Sequence, residues 1–369
     1  MINFFVQIIP TAVTLGVLIF VHELGHFLAC RFANVGVEKF SIGFGRELIS
    51  WQGKETRYSI SLIPFGGFVK PRGETYEEIK ERGGKIDSRD FLAASIWNRF
   101  LILVAGVAMN FLFAYILFAS VFLVGRPILS STIGGFMKGY PAETSGLNPG
   151  DKITQINGHL VNNWQDLTLQ ILQSKGKQLE FSVLRHGNRL NLTVVPQFEE
   201  GRDIFGQTKQ VPRIGIKPSE EFIVERYGFK DSIIKAAEFE WNLTALTYQA
   251  LWRLVTGQLS FKSISGPIGI VSMAGSVARM GIIALLQFAA VLSVSLGVIN
   301  SLPIPALDGG HLFFLAIEAV RRKQLSLKVQ EKMTQVGFYF LMALMVLVVF
   351  NDLMNIGAID KIKSLFTHG

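Results

Sequence analysis

Four stretches of the chain carry no charged residue: 4–21, 100–124, 280–307 and 333–350. Each is close to the length that crosses a hydrocarbon core of about 30 Å as a helix. Between the first two, the pattern changes to period two. Phe40, Ile42 and Phe44 alternate with Lys39, Ser41 and Gly43, and Tyr58, Ile60 and Leu62 alternate with Arg57, Ser59 and Ser61. Such alternation predicts half-buried strands. Pro64, Gly66 and Gly67 predict a turn, after which Phe68 and Val69 return as a strand. Residues 73–90 are polar and interrupted by glycine, and read as a mobile loop.

Between the second and third apolar stretches lies a small α+β pattern. A turn at 148–151 leads into a strand at 152–156, a tight turn at 157–158 and a helix at 164–173 capped by Asn162 or Asn163. Residues 179–185 and 190–195 then alternate about a turn at 186–188, as in a hairpin. From about 230 to 256 the pattern is helical.

These patterns predict a multi-pass α-helical membrane protein with about four transmembrane helices. A membrane-associated β-hairpin region and an inserted α+β domain complete it. The expected segments are a first helix (1–30), the hairpin and loop region (31–99), a second helix (100–125), the α+β domain (126–198), a linker with an amphipathic helix (199–279), a third helix (280–310), a connection (311–332) and a fourth helix with a tail (333–369). Composition agrees: of 369 residues 49% are hydrophobic and 17% charged, against about 25% charged in soluble domains. The N-terminal stretch has no Lys or Arg before Arg31 and reads as a retained helix rather than a cleaved signal.

Charge sets the expected orientation. Residues 31–99 hold 12 Lys/Arg, and five more (Arg321, Arg322, Lys323, Lys328, Lys332) follow the third stretch. The positive-inside bias makes both segments cytoplasmic and the α+β domain extracytoplasmic. The net charge of +8 is then a topology signal. No basic run is interleaved with aromatics, so nucleic acid is not an expected partner. The single Cys30 excludes an internal disulfide framework and a cysteine-rich metal site.

The chemistry begins at His22-Glu23-Leu24-Gly25-His26. On a helix, positions i and i+4 share a face, so both imidazoles can reach one zinc ion and Glu23 can address a water beside it. A catalytic zinc needs a third protein ligand. Glu38 and Glu47 follow, but in the strand region. Asp308 is the better candidate: it closes the third apolar stretch after Asn300-Ser301-Leu302-Pro303-Ile304-Pro305-Ala306-Leu307, whose two prolines must break the helix. The predicted topology brings Asp308 and His26 to the same membrane face. His311 is a candidate for a supporting role, while Glu318 and Asp352 read as interfacial charges.

The HELGH sequence in a first membrane helix, with NSLPIPALDG in a later one, resembles the site-2 protease family of intramembrane metalloproteases. Gly43-Phe44-Gly45, Pro64-Phe65-Gly66-Gly67-Phe68-Val69 and Ser265-Gly266-Pro267-Ile268-Gly269 look like its bacterial regulator-of-sigma-E (RseP) branch. Ser145-Gly146-Leu147-Asn148-Pro149-Gly150-Asp151 with Ile156-Asn157-Gly158 resembles a PDZ domain, present here in one clear copy where some members carry two.

The resemblance implies that His22, His26 and Asp308 hold zinc, that Glu23 is the catalytic base, and that Asn300 binds the substrate backbone or the developing oxyanion. It implies transmembrane substrates such as anti-sigma factors, with remnant signal peptides as a further class, and a bacterial inner-membrane location with the site facing the cytoplasm. The strand region then suggests how a substrate is held. An unwound segment would add to an exposed edge near Tyr58, Ile60 and Leu62, with the turn at Gly66 and Gly67 beside it. The PDZ-like domain would take extended peptide C-termini, with Ile133 to Phe136 and the helix after Trp164 lining the groove. A dead scaffold would not need the full set of His22, Glu23, His26 and Asp308. A transporter would show repeated hydrophobic halves, which this chain lacks.

Overall fold

In hydrocarbon a chain must satisfy its own backbone polar groups, so uncharged stretches of this length fold as helices. The computed structural model describes residues 2–202, 208–260 and 264–355. In chain order its elements are α1 (Ile2–Phe32), β1 (Val37–Gln52), β2 (Arg57–Pro71), α2 (Tyr76–Glu81), α3 (Ile96–Val124), β3 (Arg126–Leu129), β4 (Ile133–Phe136), α4 (Pro141–Thr144), β5 (Lys152–Ile156), β6 (His159–Leu160) and α5 (Trp164–Gln173). There follow β7 (Leu179–Arg185), β8 (Asn188–Val194), β9 (Gln197–Arg202), β10 (Thr208–Arg213), β11 (Ile216–Pro218), β12 (Phe222–Glu225), α6 (Phe229–Val255), α7 (Pro267–Arg279), α8 (Ile282–Asn300), α9 (Asp308–Arg321) and α10 (Leu327–Asn355). Four of the helices are long and apolar enough to cross a membrane: residues Ile8–Phe32, Ile96–Val124, Ile282–Asn300 and Lys328–Met354. The described residues form two compact units. One comprises residues 2–121, 230–251 and 264–355, and the other the remainder.

In the first unit, β1 and β2 make one folded-back sheet. Residues 39–42 of β1 lie opposite 57–60 on one side and 67–70 on the other. Residues 57–60 lie in turn between 39–42 and 49–52: Tyr58 is opposite both Phe40 and Trp51, and Ile60 opposite both Ile42 and Ile49. The row at 57–62 is therefore interior, and the expected exposed edge at Tyr58 and Ile60 is corrected. Among the described residues, two outer rows have pairing on one side only, 67–71 and 49–52.

Residues 73–90, expected to be loose, are ordered by charge. Thr75 caps α2, and the fully buried Asp90 takes Arg72 at 3.2 Å and Arg82 at 3.0 Å. The third apolar stretch is a helix only as far as Asn300, as its prolines require. Residues 301–307 form an irregular link in which Ala306 holds a φ of 90°, a left-handed conformation costly for a residue with a Cβ. Helix α9 then starts at Asp308, so much of the expected connection after residue 310 is helical.

Asp352 is not an interfacial charge. It is buried in α10 and accepts the backbone N–H groups of Gly266 (2.9 Å), Ile268 (3.0 Å) and Gly269 (3.0 Å) at the start of α7. It thus satisfies the unpaired amides of that helix end. A side chain on Gly266 would meet Asp352 at 2.7 Å, which explains a glycine there.

The second unit is the α+β module. Its four-stranded sheet runs β6-β5-β7-β8, and Ile153, Ile156, Leu179, Phe181 and Val183 pack from it against Leu167 and Ile171 of α5. Asn163 caps α5 through the Asp166 amide. The module runs past the expected boundary at 198: β11 pairs with β4, β12 pairs with β3, and Ile214 lies in the core.

Candidate metal centre

Two helices and one link build the site. His22 and His26 lie one turn apart on α1, with their Nε2 atoms 3.3 Å apart. Asp308, in the first turn of α9, puts Oδ2 3.1 Å from His22 Nε2 and 3.4 Å from His26 Nε2. Among the described residues these three are the group of His, Cys, Asp and Glu side chains that converge closely enough to hold an ion.

Helix α3 supports them. His26 Nδ1 donates to the Ile102 carbonyl at 2.8 Å, which leaves the Nε2 lone pair facing the cluster. The Asn110 amide lies 3.0 Å from His22 Nδ1. It is the amide nitrogen that faces the ring, and the contact fixes the orientation of the imidazole. A Cβ at Gly106 would sit 2.2 Å from His26 Nε2 and 2.8 Å from His22 Cε1. The imidazoles occupy the space that any side chain at 106 would need.

The donor set fits zinc. Tetrahedral bonds of about 2.0–2.1 Å place ligand atoms about 3.3–3.4 Å apart, and the three observed separations are 3.1, 3.3 and 3.4 Å. Asp308 Oδ2 is buried and receives no hydrogen bond. With His26 Nδ1 donating to Ile102, the His26 Nε2 lone pair and Asp308 Oδ2 point at the same place beside His22 Nε2. A buried set of acceptors without donors is unfavourable unless a cation satisfies it.

Glu23 is beside the cluster but belongs to a different contact. Its Oε2 accepts the Val69 backbone N–H at 2.9 Å. Gly67 runs equally close: a Cβ there would be 3.3 Å from Glu23 Cγ and 2.8 Å from the Ser41 carbonyl. The outer row 67–71 therefore passes Glu23, and Gly67 belongs to that row with Gly66 just ahead of it. Tyr58, Ile60 and Leu62 are not on it. Asn300 ends α8, half-buried, and among the described residues nothing hydrogen-bonds its side chain. Glu38 pairs with Lys70 and Glu47 with Lys39 and Arg57, so neither competes for the metal. Those cations hold the half-buried Glu47 carboxyl down at about 2.

His311 does not join the ligands. With Glu74, Arg99, Phe314 and Glu318 it lines an adjacent cavity of about 400 Å³, where burial pushes the Glu74 carboxyl up to about 7. Sequence reasoning missed Asn110, Gly106 and Val69. A lone Asn inside an apolar helix was the available signal for the first, because intramembrane polar groups are seldom idle.

The description of peptidase family M50 matches residues 10–344. A Rhizobium meliloti protein named "Putative zinc metalloprotease R01501" is 34% identical, the match covering 94% of this chain and 96% of that one. A Clostridium acetobutylicum protein named "Putative zinc metalloprotease CA_C1796" is also 34% identical, covering 94% and 97%. Among solved structures, the PDZ domain of an SdrC-like protein from Listeria monocytogenes matches 24% of this chain and 84% of its own. It is 22% identical with a TM-score of 0.19, a likeness too slight to carry an assignment.

Proposed function

The chain belongs to peptidase family M50 and is a membrane-embedded zinc metalloprotease, and we propose that it hydrolyses peptide bonds within the transmembrane segments of other membrane proteins. One observation carries this reading: His22, His26 and Asp308 converge at 3.1–3.4 Å, with both histidines on a helix apolar enough to span the bilayer. Zinc bound by these three supplies Lewis-acid chemistry, polarising a carbonyl and activating water. Glu23 acts as general base and then returns the proton to the leaving amine. The Val69 amide fixes Oε2, which leaves Oε1 to take the proton. Asn300 donates to the substrate backbone or to the oxyanion.

A transmembrane helix offers no free amides until it unwinds. The row at 67–71 suits an unwound segment, since its open side runs past Glu23 and an extended chain can add to it as a further strand. Gly67 lets α1 lie close to this row, since a Cβ there would be 3.0 Å from Ile19 Cγ2 and 3.3 Å from Glu23 Cγ. By the same resemblance, anti-sigma factors and remnant signal peptides are the substrate classes. The orientation implied by the basic segments puts the site toward the cytoplasm of a bacterial inner membrane and the PDZ-like module outside.

The module offers a peptide site of its own. Trp164, Thr168, Ile171 and Leu172 of α5 face residues 211–216 across a cavity of about 300 Å³. This groove uses the 211–216 segment in place of Ile133 to Phe136, whose strand is already paired with β11. Titration with peptides ending in apolar residues and a free carboxylate is expected to change Trp164 fluorescence in a Trp-reduced background. No saturable change would leave the module a purely steric element.

The decisive experiment compares wild type with Glu23→Gln on a model transmembrane substrate, with zinc measured in both. Cleavage is expected to fall by about 10²–10⁴, the usual contribution of a general base, with zinc retained. Equal cleavage by the two proteins refutes the mechanism.

A further inference from the structure

Asp308 can complete the cluster only if α9 sits in one register against the helices that carry and orient the histidines. One slipped residue would move it about 1.5 Å along the axis and turn it about 100°. The site therefore needs something that fixes α9, and the obvious contacts do not. Between the two helices lie Ile102 and Leu103 on α3 and Leu315 on α9, all in one apolar cluster. Apolar contacts of this kind tolerate repacking.

Ten residues beyond Asp308, about 15 Å along the helix, stands Glu318. It is buried at 5% exposure, as is Arg99 in the first turn of α3. Arg99 donates both terminal nitrogens to it, Nη1 to Oε2 at 3.1 Å and Nη2 to Oε1 at 2.5 Å. The positions match on both helices. On α3, residues 99, 102, 106 and 110 fall at helical spacing and carry the ion pair, the His26 acceptor, the gap for the imidazoles and the His22 partner. On α9, residues 308, 311, 315 and 318 do the same. One end of the shared seam is the metal cluster and the other is the ion pair.

We propose that Arg99 and Glu318 are a positioning pair for the zinc site, locking the register of α9 on α3 so that Asp308 meets His22 and His26. A buried ion pair is weak evidence for stability, because desolvation offsets attraction; its best-attested use is to specify register. The two-pronged geometry adds direction, since a forked guanidinium accepts a carboxylate in few orientations. Neither residue touches a reacting atom.

The proposal rests on the assignment of His22, His26 and Asp308 as ligands, so Asp308→Asn is the reference. Glu318→Gln keeps the shape and removes the charge. Arg99→Met/Glu318→Leu replaces the pair with apolar bulk that is expected to preserve the melting midpoint. In both variants, zinc release to a chelator is expected to accelerate at least about tenfold. The visible ligand-field bands of the cobalt-substituted protein are expected to move toward those of Asp308→Asn. If both variants hold zinc and show wild-type cobalt bands, whatever their melting midpoints, the pair is packing alone and the proposal fails. If Asp308→Asn itself holds zinc like wild type, the ligand assignment has failed instead.

Discussion

Substituting Gly106 by alanine is expected to strip the protein of zinc and of activity together. The added methyl would lie 2.2 Å from His26 Nε2 and 2.7 Å from its Cε1, against an optimal carbon contact of about 3.5–4.0 Å. The helices cannot part to admit it cheaply. At Gly25 the backbone of α1 already approaches the Ala105 carbonyl so closely that a Cβ would come within 2.4 Å. The easier response is for His26 to swing away from Ile102 and out of the cluster. That leaves two ligands where a catalytic zinc needs three. Zinc content is expected to drop well below one per chain, and cleavage by about 10³-fold, equivalent to about 4 kcal/mol of transition-state stabilisation. Metal analysis and a cleavage assay check both. Gly16→Ala is the control, because a Cβ there meets nothing within 4 Å on the same helix as the histidines. Its zinc and activity are expected to match wild type. Full zinc occupancy in Gly106→Ala would mean that the imidazoles do not sit where the structure puts them.

The contrast between Gly106 and His22 shows what the sequence could carry. His22, Glu23 and His26 are legible because the relation among them is local: helical spacing alone puts two imidazoles on one face. Asp308 was legible for another reason, since carboxylates at the end of an apolar span are scarce and two prolines announced an irregular backbone. Gly106, Asn110 and Val69 act on the same atoms but through neighbours supplied by packing, and no spacing rule connects them to residue 22 or 26. Glu318 and Asp352 were misread for the same reason. Their partners lie 219 and up to 86 residues away, so each looked like an unpaired charge near a membrane surface. The strand region failed differently. Alternation at Tyr58, Ile60 and Leu62 correctly signals a strand, but period two does not say whether a strand is central or at an edge. The end of the α+β module was hidden because β11 and β12, of three and four residues, are too short to show a period.

That correction moves the decisive test of the sheet from Ser59 to Val69. Proline at Ser59 would enter a buried row with partners on both sides, opposite Ser41 and Ser50. It is expected to disrupt the sheet and lower the melting midpoint, which says nothing about substrate. At Val69 the backbone N–H already points out of the sheet, to Glu23 at 2.9 Å. Proline is tolerated on the open side of an edge row, and Phe68 before it is extended, as proline demands. Val69→Pro therefore deletes one hydrogen bond to a charged carboxylate and little else. Such bonds contribute about 1.5–3 kcal/mol, so kcat is expected to fall by about 10- to 100-fold with zinc retained. Val69→Ala keeps the amide and is expected to cleave near the wild-type rate. If Val69→Ala loses as much as Val69→Pro, the side chain rather than the amide matters. If Val69→Pro cleaves normally, Glu23 does not need this strand, and the strand loses its claim to organise the reaction.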